Sequence, residues 1–377
     1  MKILYVTTVS NTVNAFLIPH IKLLIEQGHQ VDVAFNIDRE VNPEIMKLGC
    51  KVYNIKFQRS PLKRENLIAY KEIKKLVLDD EGYDLVHVHT PVASVLTRLA
   101  CRNVPNIKVI YTAHGFHFYK GAPLKNWILY YPIEKWLSRY TDCLITINEE
   151  DYSTAISKKF KADKIKMVHG VGVDLDKFEP QTMEKKIQIR KEYGYKENDF
   201  ILFYAAELNS NKHQDLLINV LNILKNKIPN IKLLLAGNGS LESQYKRQAK
   251  QLEVNDNIEF LGYRNDINNL LMLSDIAVAS SRREGLPVNV MEAMATGLPL
   301  VVTDVRGHRD LVKNEESGYV VGLNDIEGFA NSIEKLYEDD ELRFKFGRKG
   351  LELVQKYSLE NVLKEMEDIY ILFLDDK

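Results

Sequence analysis

Two glutamates eight positions apart, Glu284 and Glu292, bracket the run Gly285-Leu286-Pro287-Val288-Asn289. Each ionised carboxylate only accepts hydrogen bonds, and sugar hydroxyls can supply them. The apolar run 276–279 precedes this stretch and 300–302 follows it, so the order reads strand, turn, helix start, helix, turn, strand. A helix start leaves backbone N–H groups without intrahelical partners, and these favour a bound anion. The placement suits a nucleotide diphosphate: the loop and helix start face the phosphates, one carboxylate accepts ribose hydroxyls and the other reaches a polar group beyond. Two arbitrary glutamates at this separation more often sit on a solvated helix face; the whole stretch weakens that reading.

The elements that must position these groups repeat through a chain of 377 residues, long for one core and suited to two domains. A strand at 3–7, a helix at 15–27 closed by Gly28 and a strand at 29–34 begin a doubly wound parallel sheet. Small polar residues follow the first strand; Asn11 and Asn14 are expected near substrate, with an N-cap role for Asn14 equally open. Later strands end at His87 and His89, and another leads into His114 and His117, the strand ends where ligands collect in such sheets. These histidines form no compact set with acidic partners, so no metal site is expected. His87 reads as an interior histidine, whereas His89 is an acceptor-side candidate. In the second half, strands run into Gly237-Asn238-Gly239 and Gly262-Tyr263-Arg264, tight turns close to a ligand, and 304–308 forms another turn. The expected division is residues 1–178 and 179–357, with 358–377 a helix packing back on the first domain.

Composition is that of a globular protein, 45% hydrophobic and 27% charged. Cys50, Cys101 and Cys143 are widely spaced and read as reduced buried thiols. No stretch approaches a membrane span, and the opening reads as a first strand rather than a signal peptide. Net charge is −1, but residues 1–180 hold 25 Lys/Arg against 20 Asp/Glu, and 181–377 hold 26 against 32. Between Tyr119 and Tyr140, lysines alternate with Trp127, Tyr130, Tyr131 and Trp136. Interfacial aromatics and snorkelling lysines point to an anionic membrane touching this half; core aromatics under a charged face are the alternative. Scattered lysines and a slightly negative charge argue against nucleic acid.

Glu284-Gly285, Glu292-Ala293-Met294-Ala295 and Gly297-Leu298-Pro299 resemble the signature of the retaining glycosyltransferases of family four, over nearly the full chain. The resemblance implies a GT-B fold, an α/β architecture of two Rossmann-like domains facing each other across a cleft, with a C-terminal helix crossing back. It implies that Glu292 holds the ribose, that Glu284 lies near the transferred sugar, and that His114 faces that sugar. Lys212 matches the family lysine that neutralises a phosphate. Where relatives carry glycine and arginine, this chain has Ala206 and Glu207; Glu207 cannot bind a diphosphate, and Asn209 could supply a neutral donor.

The implied reaction moves a sugar from a UDP-sugar to a hydroxyl with retention and without metal or other cofactor. Positive potential from Lys212 and the backbone N–H groups of 286–289 offsets the leaving diphosphate, Glu284 orients the sugar, and His114 binds a sugar hydroxyl or acts through its carbonyl. Tyr263 and Arg264 would flank the base. Segment 111–118 and the Glu207-Leu208-Asn209 variant resemble bacterial capsule, exopolysaccharide and O-antigen enzymes. That implies an undecaprenyl-diphosphate-linked acceptor, an N-acetylated or deoxy amino sugar as donor group, and a cytoplasmic location on the inner membrane face. A UDP-sugar epimerase of the same architecture and a non-catalytic sugar-nucleotide binder remain open; a glycosidase fits poorly.

Overall fold

The structure, a computed structural model, describes residues 1–78 and 82–374, so the last three residues of the expected C-terminal segment lie outside the described residues. Two compact units divide the chain: residues 1–171 with 360–377, and residues 172–359.

The first unit is built on seven parallel strands: β1 (Lys2–Val9), β2 (Gln30–Asn36), β3 (Val52–Asn54), β4 (Leu85–His89), β5 (Lys108–Ala113), β6 (Cys143–Thr146) and β7 (Lys164–Met167). Their order is β3-β2-β1-β4-β5-β6-β7. β1 and β4 are covered on both faces: β1 reads as a largely apolar run, and the alternating histidines of β4, His87 and His89, are buried with their neighbours. The order reverses between β1 and β4, a topological switch point of the kind that gathers ligands. In register, Tyr5 pairs with His87 and His89 with Thr112. The helix Leu359–Leu374 returns to this unit, burying Val362, Met366, Ile369, Tyr370 and Phe373.

The second unit has six parallel strands: β8 (Phe200–Ala205), β9 (Ile231–Ala236), β10 (Ile258–Gly262), β11 (Ile276–Ala279), β12 (Leu300–Thr303) and β13 (Gly318–Val321). Their order, β10-β9-β8-β11-β12-β13, puts a second switch point between β8 and β11.

Two expectations need correction, and an open one divides between its two readings. The first unit ends at Val171, earlier than residue 178, because the connecting segment packs on the second unit: Val173 N–H donates to Tyr357 O at 2.9 Å, Phe178 is buried, and Gln181 donates to Met272 O and Ser274 O at 2.6 and 2.8 Å. Asn14 caps no helix: it lies inside a π-helical turn, Val13–Leu17, that runs on into Ile18–Glu26. Its amide instead spans a loop, donating to Glu40 O at 2.8 Å and accepting from Asn42 N at 3.0 Å. Of the two readings of the helix Leu124–Leu137, the core one holds for Trp127 and Tyr131, which pack inward on Phe118, while Trp136 is exposed together with Leu124, Ile128, Leu129 and Ile133.

Candidate functional site

In the second unit, four loops converge at the carboxyl ends of β8, β9, β11 and β12. The segment after β8 presents Lys212 through a turn held by Asn209, whose Oδ1 accepts from the N–H groups of Asn211 and Lys212, both at 3.0 Å. The oxygen of Asn209 is therefore committed to building the turn. Ser280 Oγ then donates to Lys212 O at 2.8 Å, and Arg282 N–H donates to Asn211 O at 2.7 Å, tying this segment to the loop after β11. His213, next to Lys212, has φ 55°, a left-handed backbone that costs a non-glycine residue strain and that clusters at functional sites.

These bonds bring Lys212 Nζ to 2.6 Å from Glu284 Oε1, with side chains 22% and 12% exposed. Burial opposes the lysine's charge, but the Glu284 carboxylate outweighs it and lifts the Lys212 pKa above its ordinary value. Burial likewise pushes Glu284 up, and Lys212 and His308 more than reverse this, leaving it below the usual carboxylate range. The pair is charged on both sides throughout the neutral range.

Segment 304–308, expected as a turn, instead opens the helix Arg306–Leu311 and carries two site residues that the sequence did not mark. Arg306 Nε donates to Glu284 O at 2.9 Å, fixing the backbone that carries the carboxylate. His308 is fully buried; its Nδ1–H donates to Thr303 O at 2.8 Å, so its lone pair sits on Nε2, and burial pushes its pKa down to about 4. The available signal was Gly307: a Cβ there would stand 2.6 Å from Gly285 O, so the start of the helix Arg306–Leu311 and the loop after β11 touch through backbone.

Leu286 to Asn289 lead into the helix Val288–Ala295, with Pro287 at its N-cap position. Pro287 has no N–H, so the donors at this helix start come from Leu286, Val288 and Asn289. Glu292 lies one turn further along. It lines a small pocket with Tyr204, Ala205, Ile267 and Asn289, and burial raises its pKa to about 7 against a lesser opposing effect of Lys177.

Other candidates are engaged elsewhere. Cβ atoms at Gly237 and Gly239 would both lie 2.1 Å from the carbonyl oxygens of Ala206 and Leu208, so the close approach made by these glycines is to the loop after β8. Arg264 forks onto Asp266, its Nε 2.8 Å from Oδ1, beside the Tyr193 ring, and Tyr263 is exposed.

In the first unit, His114 directly follows β5, and Gly115 comes next with φ 139°, a turn that suits glycine. His114 Nε2 lies 3.0 Å from His89 Nδ1, and the rings stack with centroids 5.2 Å apart. His87 is the interior histidine expected, bonded to Tyr370 OH at 2.7 Å and Thr112 Oγ1 at 2.8 Å. Thr90, directly after β4, has φ 67° and ψ 141°, a strained region held by Thr8 N–H donating to its Oγ1 at 2.9 Å. Asn11 N–H donates to Asp38 at 3.2 Å, and His117 packs on Tyr130 with ring centroids 4.7 Å apart. Among the described residues no group of three or more His, Cys, Asp and Glu could hold a metal ion.

Two Rossmann-like units, each with a switch point, and a C-terminal helix returned to the first are the parts of the GT-B fold. Residues 2–148 match the family described as glycosyl transferase 4-like, and residues 185–352 match glycosyl transferases group 1. The chain is 44% identical over 376 residues to the Bacillus subtilis (strain 168) protein named "Putative glycosyltransferase EpsD", covering 99% of this chain and 97% of that one. It is 30% identical over 315 residues, 81% of each chain, to an Escherichia coli UDP-Gal:α-D-GlcNAc-diphosphoundecaprenol α-1,3-galactosyltransferase. The crystal structure of Anabaena HepE in complex with UDP and glucose superposes with a TM-score of 0.82 at 18% identity, covering 99% of this chain and all of that one. The chain therefore belongs to the family-four glycosyltransferases and is related to bacterial enzymes of capsule, exopolysaccharide and lipopolysaccharide synthesis.

Proposed function

We propose that this glycosyltransferase moves a sugar, with retention and without a metal, from a UDP-sugar to an undecaprenyl-diphosphate-linked saccharide in cell-surface polysaccharide synthesis. The observation that carries the reading is the partly buried Lys212–Glu284 pair, its carboxylate four residues before the helix start at Val288, with Glu292 one turn further on. Lys212 and the free N–H donors offset the diphosphate that leaves, in surroundings where a fixed charge is worth more than in water. Glu284 turns from Lys212 towards sugar hydroxyls when the phosphates take the ammonium, and Glu292 accepts the ribose hydroxyls. His114 belongs to the same reaction from the first unit, meeting a hydroxyl of the transferred sugar. The names of the Escherichia coli enzyme and of the HepE complex support the nucleotide and the lipid-linked acceptor.

Our reading puts an N-acetylated or deoxy amino sugar on the donor. A panel of UDP-, GDP- and ADP-sugars, including UDP-galactose, tests it: selective protection against thermal unfolding by a UDP-amino sugar is expected. UDP release that requires a diphosphoundecaprenyl saccharide, and persists in EDTA, separates transfer from epimerisation and from mere binding. Protection by GDP-sugars alone, or release without acceptor at the same rate, refutes the reading.

The reading also seats the protein on the inner membrane face. Exposed Leu124, Ile128, Leu129 and Ile133 rise beside exposed Lys125 on the helix Leu124–Leu137, with exposed Arg139 just past its end, and Leu67 and Ile68 are exposed beside Lys71, Lys74 and Lys75 on Glu65–Val77. Aliphatic side chains rimmed by cations fit an anionic bilayer surface. No helix among the described residues is long and apolar enough to cross a membrane. Co-flotation with phosphatidylglycerol vesicles at low salt, lost in Ile128→Asp/Ile133→Asp, is the expected result; absence of flotation refutes it.

A further inference from the structure

The histidines at the switch point of the first sheet form a connected set whose proton positions the geometry constrains. His89 is buried, at 3% exposure, while His114 keeps partial exposure. Tyr5 stacks on His89 with centroids 5.5 Å apart, and the His87 ring lies 4.1 Å away, so the His89 ring is clamped between neighbours. Behind them Tyr370 of the C-terminal helix bonds to His87 Nδ1 and to the Tyr5 hydroxyl.

The 3.0 Å contact between His89 Nδ1 and His114 Nε2 admits two arrangements of neutral rings. In one, His114 Nε2–H donates to His89 Nδ1, and the proton of His89 sits on Nε2. That nitrogen is buried and has no hydrogen-bond partner among the described residues, so an N–H donor would be stranded. In the other, His89 Nδ1–H donates to His114 Nε2, and what is stranded is a lone pair. Buried N–H groups without acceptors are rarer than under-used acceptors, so the second arrangement is favoured. Burial, with the neighbouring histidines, keeps both rings neutral at physiological pH, His114 with a pKa of about 4. The nitrogen that carries the proton in a neutral imidazole follows from the bond the other nitrogen makes.

We propose that His89 is a positioning residue for His114: its Nδ1–H, donated to His114 Nε2, fixes the His114 proton on Nδ1, so that His114 meets the transferred sugar as a hydrogen-bond donor and not as a base. The role at the sugar rests on the proposed function; the proton position does not. The strained Thr90 fits the same picture, because its hydroxyl, bound to Thr8 N–H, holds the end of β4 where His89 must stay.

The test is 15N NMR of histidine-labelled full-length protein, with the His114 resonances assigned by His114→Gln. The expected wild-type spectrum has a protonated Nδ1 and an unprotonated Nε2 on His114. His89→Phe keeps the ring stack and removes the donor, and is expected to return His114 to the Nε2–H form that free imidazole side chains favour. His89→Asn, whose amide nitrogen falls near the Nδ1 position, is expected to retain the wild-type tautomer. A wild-type His114 protonated on Nε2, or an unchanged spectrum in His89→Phe, overturns the proposal, and the wild-type spectrum decides even if the Phe variant fails to fold. For transfer, His89→Phe is expected to lose roughly ten- to a hundredfold in kcat/KM, mostly in kcat, with UDP affinity within about twofold and recovery in His89→Asn. Full activity in a variant whose tautomer has switched also overturns it. If wild type transfers no sugar from any nucleotide, the function falls, and the spectra still decide the proton position.

Discussion

Glu292 makes the site's nucleotide affinity a function of pH. Its side chain is partly buried in the pocket lining, and that burial raises the pKa of the free state to about 7. Ribose hydroxyls donate, so the form that binds them is the carboxylate, and binding should return the group towards the ordinary value of about 4.3. The sign follows: affinity is full above pH 7 and is lost as pH falls below it. At pH 6 about nine in ten free molecules hold Glu292 protonated, so UDP-sugar affinity should drop about tenfold between pH 9 and pH 6. His114 and His308, with pKa values of about 4, stay neutral across this range, and the Lys212–Glu284 pair stays charged. A UDP-sugar is the right probe because its diphosphate, unlike that of UDP, does not ionise near neutrality. Calorimetry in two buffers of different ionisation enthalpy should find about 0.9 proton released per UDP-sugar bound at pH 6 and close to none at pH 9. Glu292→Gln should bind more weakly at pH 9 and show a flat profile. A flat wild-type profile, or proton uptake on binding, refutes the ribose contact assigned to Glu292.

Lys212→Met strands the Glu284 carboxylate in partial burial and should cost about 3 kcal/mol, read by denaturant or thermal unfolding, with turnover abolished; adding Glu284→Gln should recover most of the stability and none of the turnover. Arg98 pairs with Glu134 at 2.7 Å, both nearly buried, with the guanidinium 4.2 Å from the centre of the Tyr111 ring. Arg98→Met should therefore destabilise by roughly 3–5 kcal/mol, and Arg98→Met/Glu134→Leu should restore much of the loss, measured as a double-mutant cycle. Gly237→Ala meets a carbonyl oxygen at 2.1 Å with φ at 140°, so it should displace the 206–208 loop and weaken UDP binding, visible as a loss of UDP-dependent thermal protection.

Much of the frame was legible because buried parallel strands announce themselves as short apolar runs. The strands expected at 3–7, 29–34, 276–279 and 300–302 coincide with β1, β2, β11 and β12 to within three residues at each end. The loop and helix bracketed by Glu284 and Glu292 were legible for a similar reason, since all their parts are adjacent in the chain. What escaped depends on distant residues. Lys212 and Glu284 were each singled out, but their ion pair joins positions 72 residues apart and follows from the bonds that lock two loops together. Asn14 looked like a cap because its partner loop, 38–42, carries no mark in sequence. Trp127 and Tyr131 turned inward because Phe118 and Phe160, outside their helix, complete a ring cluster with them, while Trp136 stays exposed; periodicity along one helix does not say which face meets a neighbour.

The C-terminal helix supplies side chains that complete the interior of the first sheet, among them Tyr370 on Tyr5 and His87. A ribosome delivers that helix only after the whole of the second unit has been made. The nascent first half therefore waits with an open flank and uncovered apolar surface, while the second half has all its strands in hand and can fold first. Expression of this chain should depend on what shields that flank during synthesis, and a truncation before Leu359 should harm the half it does not adjoin in sequence.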